Sequence, residues 1–319
     1  MKPVLGVSPC LRMLTALAAG TMLLALAACA PTATQSELVT STNKPIYPQV
    51  KTYPSIDVRA DVSYGADAGT PLLLDVCLPK KTAGTGARPA VLALHGGSWR
   101  AGDKSSITWR SVCQWLASEG FVTFSVGYRL APQYPFPAGF DDVRAAVRWM
   151  REPANADRYD IDPDRIGVFG GSAGGNLAAL LGTEGSGDWT SGSRVAAVAE
   201  LSGPIDLTGN GVKLGNVAPD FQKVELDYLG CASFSTCPQA EKASPLYQVD
   251  DSDPPFFIAH SLKELIPLQQ SEAMVRVLRA HDVDTIFVTV KGTLHSVAML
   301  DDDMRSRIAG FLHAKLDAR

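Results

Sequence analysis

Gly170-Gly171-Ser172-Ala173-Gly174 fits the pattern G-x-S-x-G. Ile166 to Phe169 in front of it reads as a short buried strand, and Asn176 to Leu181 behind it reads as the start of a helix. A sharp strand-to-helix turn of this kind is a nucleophile elbow. It holds a serine hydroxyl out at the edge of a sheet, over a helix N-terminus. Side chains at Gly170 and Gly174 would clash with the approaching strand and helix, so the glycines have a physical reason. Other glycine-rich turns fit less well. A phosphate loop ends in Gly-Lys-Ser/Thr, which is missing here. A dinucleotide fingerprint belongs to an early strand-turn-helix unit, and this turn is mid-chain.

His95-Gly96-Gly97-Ser98-Trp99 is the second signal. Attack by a serine on a carbonyl builds a negative oxygen, which backbone N–H groups can stabilise if the chain comes close. Gly96 shapes such a loop. Gly97 and Ser98 would donate from it, and Ala173, beside Ser172, would donate from the elbow.

These residues need a scaffold that brings strand ends together. Leu72 to Leu78 is an apolar run stopped by Pro79 and reads as a strand near a sheet edge. Ala90 to Leu94 is apolar throughout, the mark of a strand buried on both faces. Phe121–Val126, Ile166–Phe169, Val195–Leu201, Pro255–His260 and Thr285–Val290 read as further strands. Helical spacing is expected over Trp109–Ser118, Phe140–Arg151, Ile266–Ala280 and Ile308–Leu316. Alternation of the two types predicts an α/β fold, a mostly parallel sheet covered on both faces. Regular patterning is lost from about 203 to 245, which reads as a short cap over the site. Arg129 and Asp142 read as scaffold ion-pair partners.

Taken in order, these pieces resemble the α/β-hydrolase family, in its esterase branch related to hormone-sensitive lipase and to exported xylan and feruloyl esterases. The resemblance rests on the His95–Trp99 loop, Tyr128-Arg129-Leu130-Ala131-Pro132, the elbow through Asn176, and Ala243-Ser244-Pro245. It covers roughly residues 60 to 315. It implies catalytic residues in the order Ser, acid, His. Ser172 is then the nucleophile and His295, in the loop after the last strand, its base. Relatives carry H-G-x-x-D-x-x-V-P before the helix. Here the text is His260-Ser261-Leu262-Lys263-Glu264-Leu265-Ile266-Pro267, one residue shorter before the proline. Glu264 is the expected acid, with Asp206 as the alternative from the preceding strand. Asp250, Asp251 and Asp253 precede a strand and fall at the wrong end of the sheet.

The 319 residues carry a net charge of only −4, with no basic run or basic-aromatic patch, so nucleic acid is not an expected partner. Lys2 and Arg12 precede an apolar run from Met13 to Ala28, and no acidic residue occurs before Glu37. Residues 1–28 read as a signal peptide. Leu26-Ala27-Ala28-Cys29 resembles the lipobox of bacterial lipoproteins, which implies lipidation of Cys29 and a membrane partner through the lipid. Residues 29–55 read as a tether and 56–319 as the hydrolase domain. Export makes Cys77, Cys113, Cys231 and Cys237 disulfide candidates. Cys231 and Cys237 could close a small ring, while Cys77 and Cys113 could equally be free buried thiols. No metal site and no cofactor are expected. The reading is an exported serine esterase with a small-molecule or polymer-borne ester as substrate. A non-catalytic binding lipoprotein and a serine peptidase on the same scaffold are the alternatives.

Overall fold

The computed structural model describes residues 37–39, 51–67, 69–80 and 86–317. Residues 1–28, read as a signal peptide, and Cys29 lie outside the described residues. The strands are β1 (Glu37–Val39), β2 (Asp57–Asp67), β3 (Thr70–Leu78), β4 (Arg88–Leu94), β5 (Val122–Val126), β6 (Ile161–Gly171), β7 (Ala197–Leu201), β8 (Phe256–Ser261) and β9 (Thr285–Val290). They form one sheet in the order β1-β9-β8-β7-β6-β4-β5-β3-β2. Every pairing from β5 across to β1 is parallel, and only β3 with its two neighbours is antiparallel. In such a sheet the C-terminal strand ends meet along one rim, where ligand sites form.

The helices are α1 (Ile107–Ser118), α2 (Ala138–Arg151), α3 (Pro153–Tyr159), α4 (Ala173–Gly182), α5 (Gly209–Lys213), α6 (Pro219–Leu229), α7 (Leu268–Ala280) and α8 (Asp302–Leu316). β4 shows how the sheet separates two cores. Ala90, Leu92 and Leu94 pack with α2, α4 and α7 residues, while Val91 and Ala93 pack on the other face with α1 and α8 residues. The two-residue period of a strand sends alternate side chains to opposite faces, and both faces here are apolar. All ten residues of α4 are buried. Its Gly and Ala content lets this helix, which carries the elbow, lie tightly on the sheet.

Three differences from the sequence reading have physical causes. β2 is not among the strands read from sequence, although Val58, Ala60, Val62 and Tyr64 alternate with polar residues: it is an edge strand that buries Tyr64 and part of Val58 and Val62, while its exposed Asp57, Arg59, Asp61 and Asp67 blunt the edge. A three-residue strand, β1, lies inside the stretch read as tether, where it pairs with Val288–Val290 of β9. The 203–245 segment is more regular than expected: it contains α5 and α6, the latter starting on Pro219 and ending at a left-handed Gly230.

Both cysteine pairs are disulfides. Cys231–Cys237 closes the small ring after α6, and Cys77–Cys113 ties β3 to α1. Arg129 forks onto Asp142 through Nε and Nη2 and also reaches Asp67, as a scaffold pair should. Among the described residues no helix is long and apolar enough to cross a membrane, and no cluster of His, Cys, Asp or Glu is arranged to hold a metal.

Candidate active site

The elbow is built as a constrained turn. β6 ends at Gly171, α4 begins at Ala173, and Ser172 between them has φ 58° and ψ −125°. That conformation is unfavourable for a residue with a side chain, and such strain persists only where the surroundings over-determine it. Here Ser172 N–H donates to Leu201 O at 2.8 Å, and Asn176 N–H donates to Ser172 O at 3.0 Å. A Cβ on Gly174 would lie 2.0 Å from Leu94 O, so β4 and the elbow can touch only through a glycine. Ala173 is the first helical residue, and its N–H has no acceptor within α4.

The loop after β4 lies against this turn. A Cβ on Gly96 would sit 2.8 Å from Gly171 O and 3.1 Å from Ser172 Cβ. Gly97 has φ 124°, and Ser98 and Trp99 also have positive φ. Two contacts hold the loop in this shape. His95 is buried, stacks on Tyr128 with ring centres 4.2 Å apart, and accepts the Tyr128 hydroxyl on its carbonyl at 2.6 Å. Burial lowers the pKa of His95, which suits a neutral scaffold ring. Trp99 donates its indole N–H to Asn176 Oδ1 at 3.2 Å and stacks on Tyr228 of α6, ring centres 4.2 Å apart. Asn176 also donates to Pro204 O and Ala243 O, at 3.0 and 3.1 Å. One amide thus joins the elbow helix, the loop and the cap.

Ser172 and His295 open onto one cavity of about 360 Å³, walled by Gly96, Gly97, Ser98, Trp109, Leu265 and Val297 among others. His295 follows β9 and is the residue before a short helical turn, Ser296–Met299. Its Nδ1 is hydrogen-bonded to Glu264 Oε2. The Glu264 side chain is fully buried, while that of His295 is 24 % exposed. Burial alone would raise the pKa of Glu264; its contacts with His260 and His295 outweigh this and hold it at about 2.

Asp206, the alternative acid, is turned elsewhere. Its Oδ1 accepts from the Thr208 N–H and hydroxyl, and its Oδ2 accepts from the Tyr247 hydroxyl at 3.1 Å. The structure therefore brings Ser172, His295, Glu264, Gly97, Ser98 and Ala173 to one rim and leaves Asp206 in the cap. Asn176 and Trp99 stand inside the motifs read from sequence, but their mutual bond was not anticipated. Their adjacency to the elbow and the glycine loop was the available signal.

A model of the BD-FAE family matches residues 74–278. The chain belongs to the BD-FAE family. The matched region contains Ser172 and Glu264. Among curated proteins, the chain is 31 % identical to esterase LipC of Mycobacterium tuberculosis, over 76 % of this chain and 60 % of that protein. It is 42 % identical to arylacetamide deacetylase of Bos taurus over 30 % of this chain and 24 % of that protein. The matches thus span between a quarter and three-fifths of these relatives' own length. Among solved structures, a truncated carbohydrate esterase from gut microbiota superposes with TM-score 0.69 at 27 % identity, covering 82 % of this chain and 96 % of that one. The carboxylesterase EstE1, cloned from a metagenomic library, gives TM-score 0.68 at 28 % identity, covering 84 % and 92 %. The fold is that of the α/β-hydrolases.

Proposed function

We propose that this BD-FAE family chain is a serine hydrolase of carboxylic esters. The observation that carries the reading is one cavity bounded by Ser172, His295 and the Gly96–Ser98 loop, with a buried ionised Glu264 bonded to His295 from behind. The esterase names of its relatives support the same class.

Each group has a defined task. Ser172 Oγ attacks the ester carbonyl carbon while its proton passes to His295 Nε2. The carbonyl oxygen takes the negative charge and is held by the N–H groups of Gly97, Ser98 and Ala173. His295 then delivers the proton to the departing alkoxide, and the alcohol leaves an acyl-serine. Water, deprotonated by His295, attacks the acyl carbon and releases the acid. Glu264 keeps a proton on His295 Nδ1, so that Nε2 faces Ser172 as a base, and it stabilises the imidazolium formed in each half-reaction. No step calls for a metal or cofactor.

Export and a lipid anchor at Cys29 belong to the same proposal. They rest on the charged start, the apolar run and Leu26-Ala27-Ala28-Cys29. A non-catalytic binding role had its main motive in the shortened acid segment. Glu264 hydrogen-bonded to His295 supports the catalytic reading over it.

The test is hydrolysis of p-nitrophenyl acetate, together with labelling by a fluorophosphonate and mapping of the labelled peptide. Turnover with the label on Ser172 is expected. Absence of both turnover and label overturns the esterase reading.

A further inference from the structure

Glu264 has two carboxylate oxygens, and the ester mechanism uses one. The other faces a second buried imidazole. His260 is the penultimate residue of β8 with its side chain fully buried, and its Nε2 lies 3.0 Å from Glu264 Oε1. The same Nε2 is 2.8 Å from Ile266 O, and Nδ1 is 2.7 Å from Ser271 Oγ of α7. A carbonyl oxygen only accepts, so Nε2 carries a proton aimed at Ile266 O, with Glu264 Oε1 beside that N–H. His260 therefore spans the whole turn from β8 to α7, and the carboxylate sits inside the span.

The backbone of this turn is held separately. Leu262 N–H donates to Val290 O at 2.9 Å, Lys263 N–H donates to Gly292 O at 3.0 Å, and Ser261 Oγ donates to Leu294 O at 2.5 Å. These bonds lace the Glu264 turn to the His295 loop. None of these bonds reaches the carboxylate itself. His295 is hydrogen-bonded to one oxygen, while His260 Nε2, its N–H directed to Ile266 O, lies 3.0 Å from the other without a hydrogen bond and acts on it electrostatically.

We propose that His260 is a positioning residue for the His295 base, its buried ring N–H beside the Glu264 oxygen that His295 leaves free fixing the place and charge of that carboxylate by electrostatic contact. The proposal rests on the esterase reading of the site. The groups facing His260 are Glu200 from β7, Glu264 from its own turn, and Ser271 from α7, with His295 behind Glu264. Burial opposes protonation of His260, but Glu264, the Ile266 carbonyl and Glu200 reverse this and leave its pKa raised. Glu200 is pushed up to about 7 by burial.

The sign follows from basicity. A carboxylate that loses a neighbouring positive or N–H group becomes a stronger base. Glu264 without His260 would hold the proton on His295 more tightly, and the protonated, inactive form would persist to higher pH. The acidic limb of kcat/KM then moves up. Loss of packing alone lowers the rate at every pH and leaves the limb in place.

The experiment compares the full-length protein with His260→Leu, His260→Gln, Ser271→Ala and Glu200→Gln. One readout is the pH profile of p-nitrophenyl acetate hydrolysis. The other is the NMR titration of the His295 ring, assigned by its loss in His295→Asn. His260→Leu should lower kcat roughly 10- to 100-fold through misplacement, with KM within about threefold. It should also raise the limb and the ring's titration midpoint by roughly one pH unit. His260→Gln, whose amide can offer N–H to both Ile266 O and Glu264, should restore most of each loss. The shift should persist when His260→Leu is combined with Glu200→Gln; if it vanishes there, Glu200 causes it and the proposal falls. An unmoved midpoint in His260→Leu also overturns it, as does equal loss in the Leu and Gln variants. If His260→Leu does not fold, Ser271→Ala decides, because it frees the far edge of the ring and must move the midpoint the same way. A wild-type protein without ester turnover would sink the esterase reading alone, since the NMR titration still decides whether His260 governs the Glu264–His295 pair.

Discussion

Glu264→Gln is the sharpest test of the acid, because the structure predicts which way the amide will turn. Glu264 lies between two imidazoles, with Oε2 on His295 Nδ1 and Oε1 3.0 Å from His260 Nε2. His260 Nε2 carries its proton toward Ile266 O, so the glutamine atom beside it should be the carbonyl oxygen. An NH2 there would meet an N–H at close range in a fully buried place. The NH2 is then forced to the other side, against His295 Nδ1. That nitrogen must become an acceptor, its proton moves to Nε2, and the face toward Ser172 can no longer take a proton. Glutamine keeps size and bonding, so the fold should survive while the tautomer is wrong. A comparable Asp→Asn change costs about 10⁴ in kcat, or about 5.5 kcal/mol of barrier. The assay is steady-state hydrolysis of p-nitrophenyl acetate, with urea unfolding of the same samples to show an intact fold. Asp206→Asn is the control and should lose less than about tenfold, since Asp206 bonds Thr208 and Tyr247. A Glu264→Gln enzyme within about tenfold of wild type in kcat would refute the role of Glu264, and so would a reversed ranking of the two variants.

Ser172→Ala should leave a folded protein without ester turnover and without fluorophosphonate labelling, a loss of roughly 10⁶ in kcat by the precedent of serine removal in a comparable triad; activity within about tenfold would put the nucleophile elsewhere. Cys29→Ala should move the protein from the membrane to the soluble exported fraction or block its processing, and mass spectrometry finding an unmodified N-terminus downstream of Cys29 would refute the anchor. Glu225 of α6 is 1 % exposed and burial pushes its pKa up to about 8 from 4.5. Its folded form holds a proton that the unfolded chain releases, so wild-type stability should fall as pH rises from about 4.5 to about 8. Glu225→Gln removes that dependence, and its advantage in urea unfolding should grow by a few kcal/mol between about pH 5 and pH 8; a constant gap would show that Glu225 does not titrate as its burial requires.

The chemistry of this protein was legible wherever it depends on neighbours in the chain. Ser172 with its glycines, the Gly96–Ser98 loop and the buried run of β4 are local patterns, because a turn or a doubly buried strand imposes its demands on consecutive residues. His295 could be placed by its position after the last strand. The choice between Glu264 and Asp206 could not be read locally, since it depends on how two loops from parallel strands meet. Lys263 N–H on Gly292 O and Ser261 Oγ on Leu294 O bring Glu264, and not Asp206, beneath His295. The Cys77–Cys113 bond is likewise a matter of where β3 and α1 pack, 36 residues apart in sequence. β2 carries a weak alternation, Val58, Ala60, Val62 and Tyr64 between polar residues, and its pairing with β3 and the burial of Tyr64 show it to be an edge strand. His260 shows the limit most clearly: in sequence it ends a strand, and the fold folds the turn back so that its ring meets Glu264, Ile266 and Ser271 at once. Residue type and spacing determined which reactive groups the chain possesses. Tertiary structure decided which of them touch, because hydrogen bonds between loops form only after the sheet has set the register of the strands that carry them.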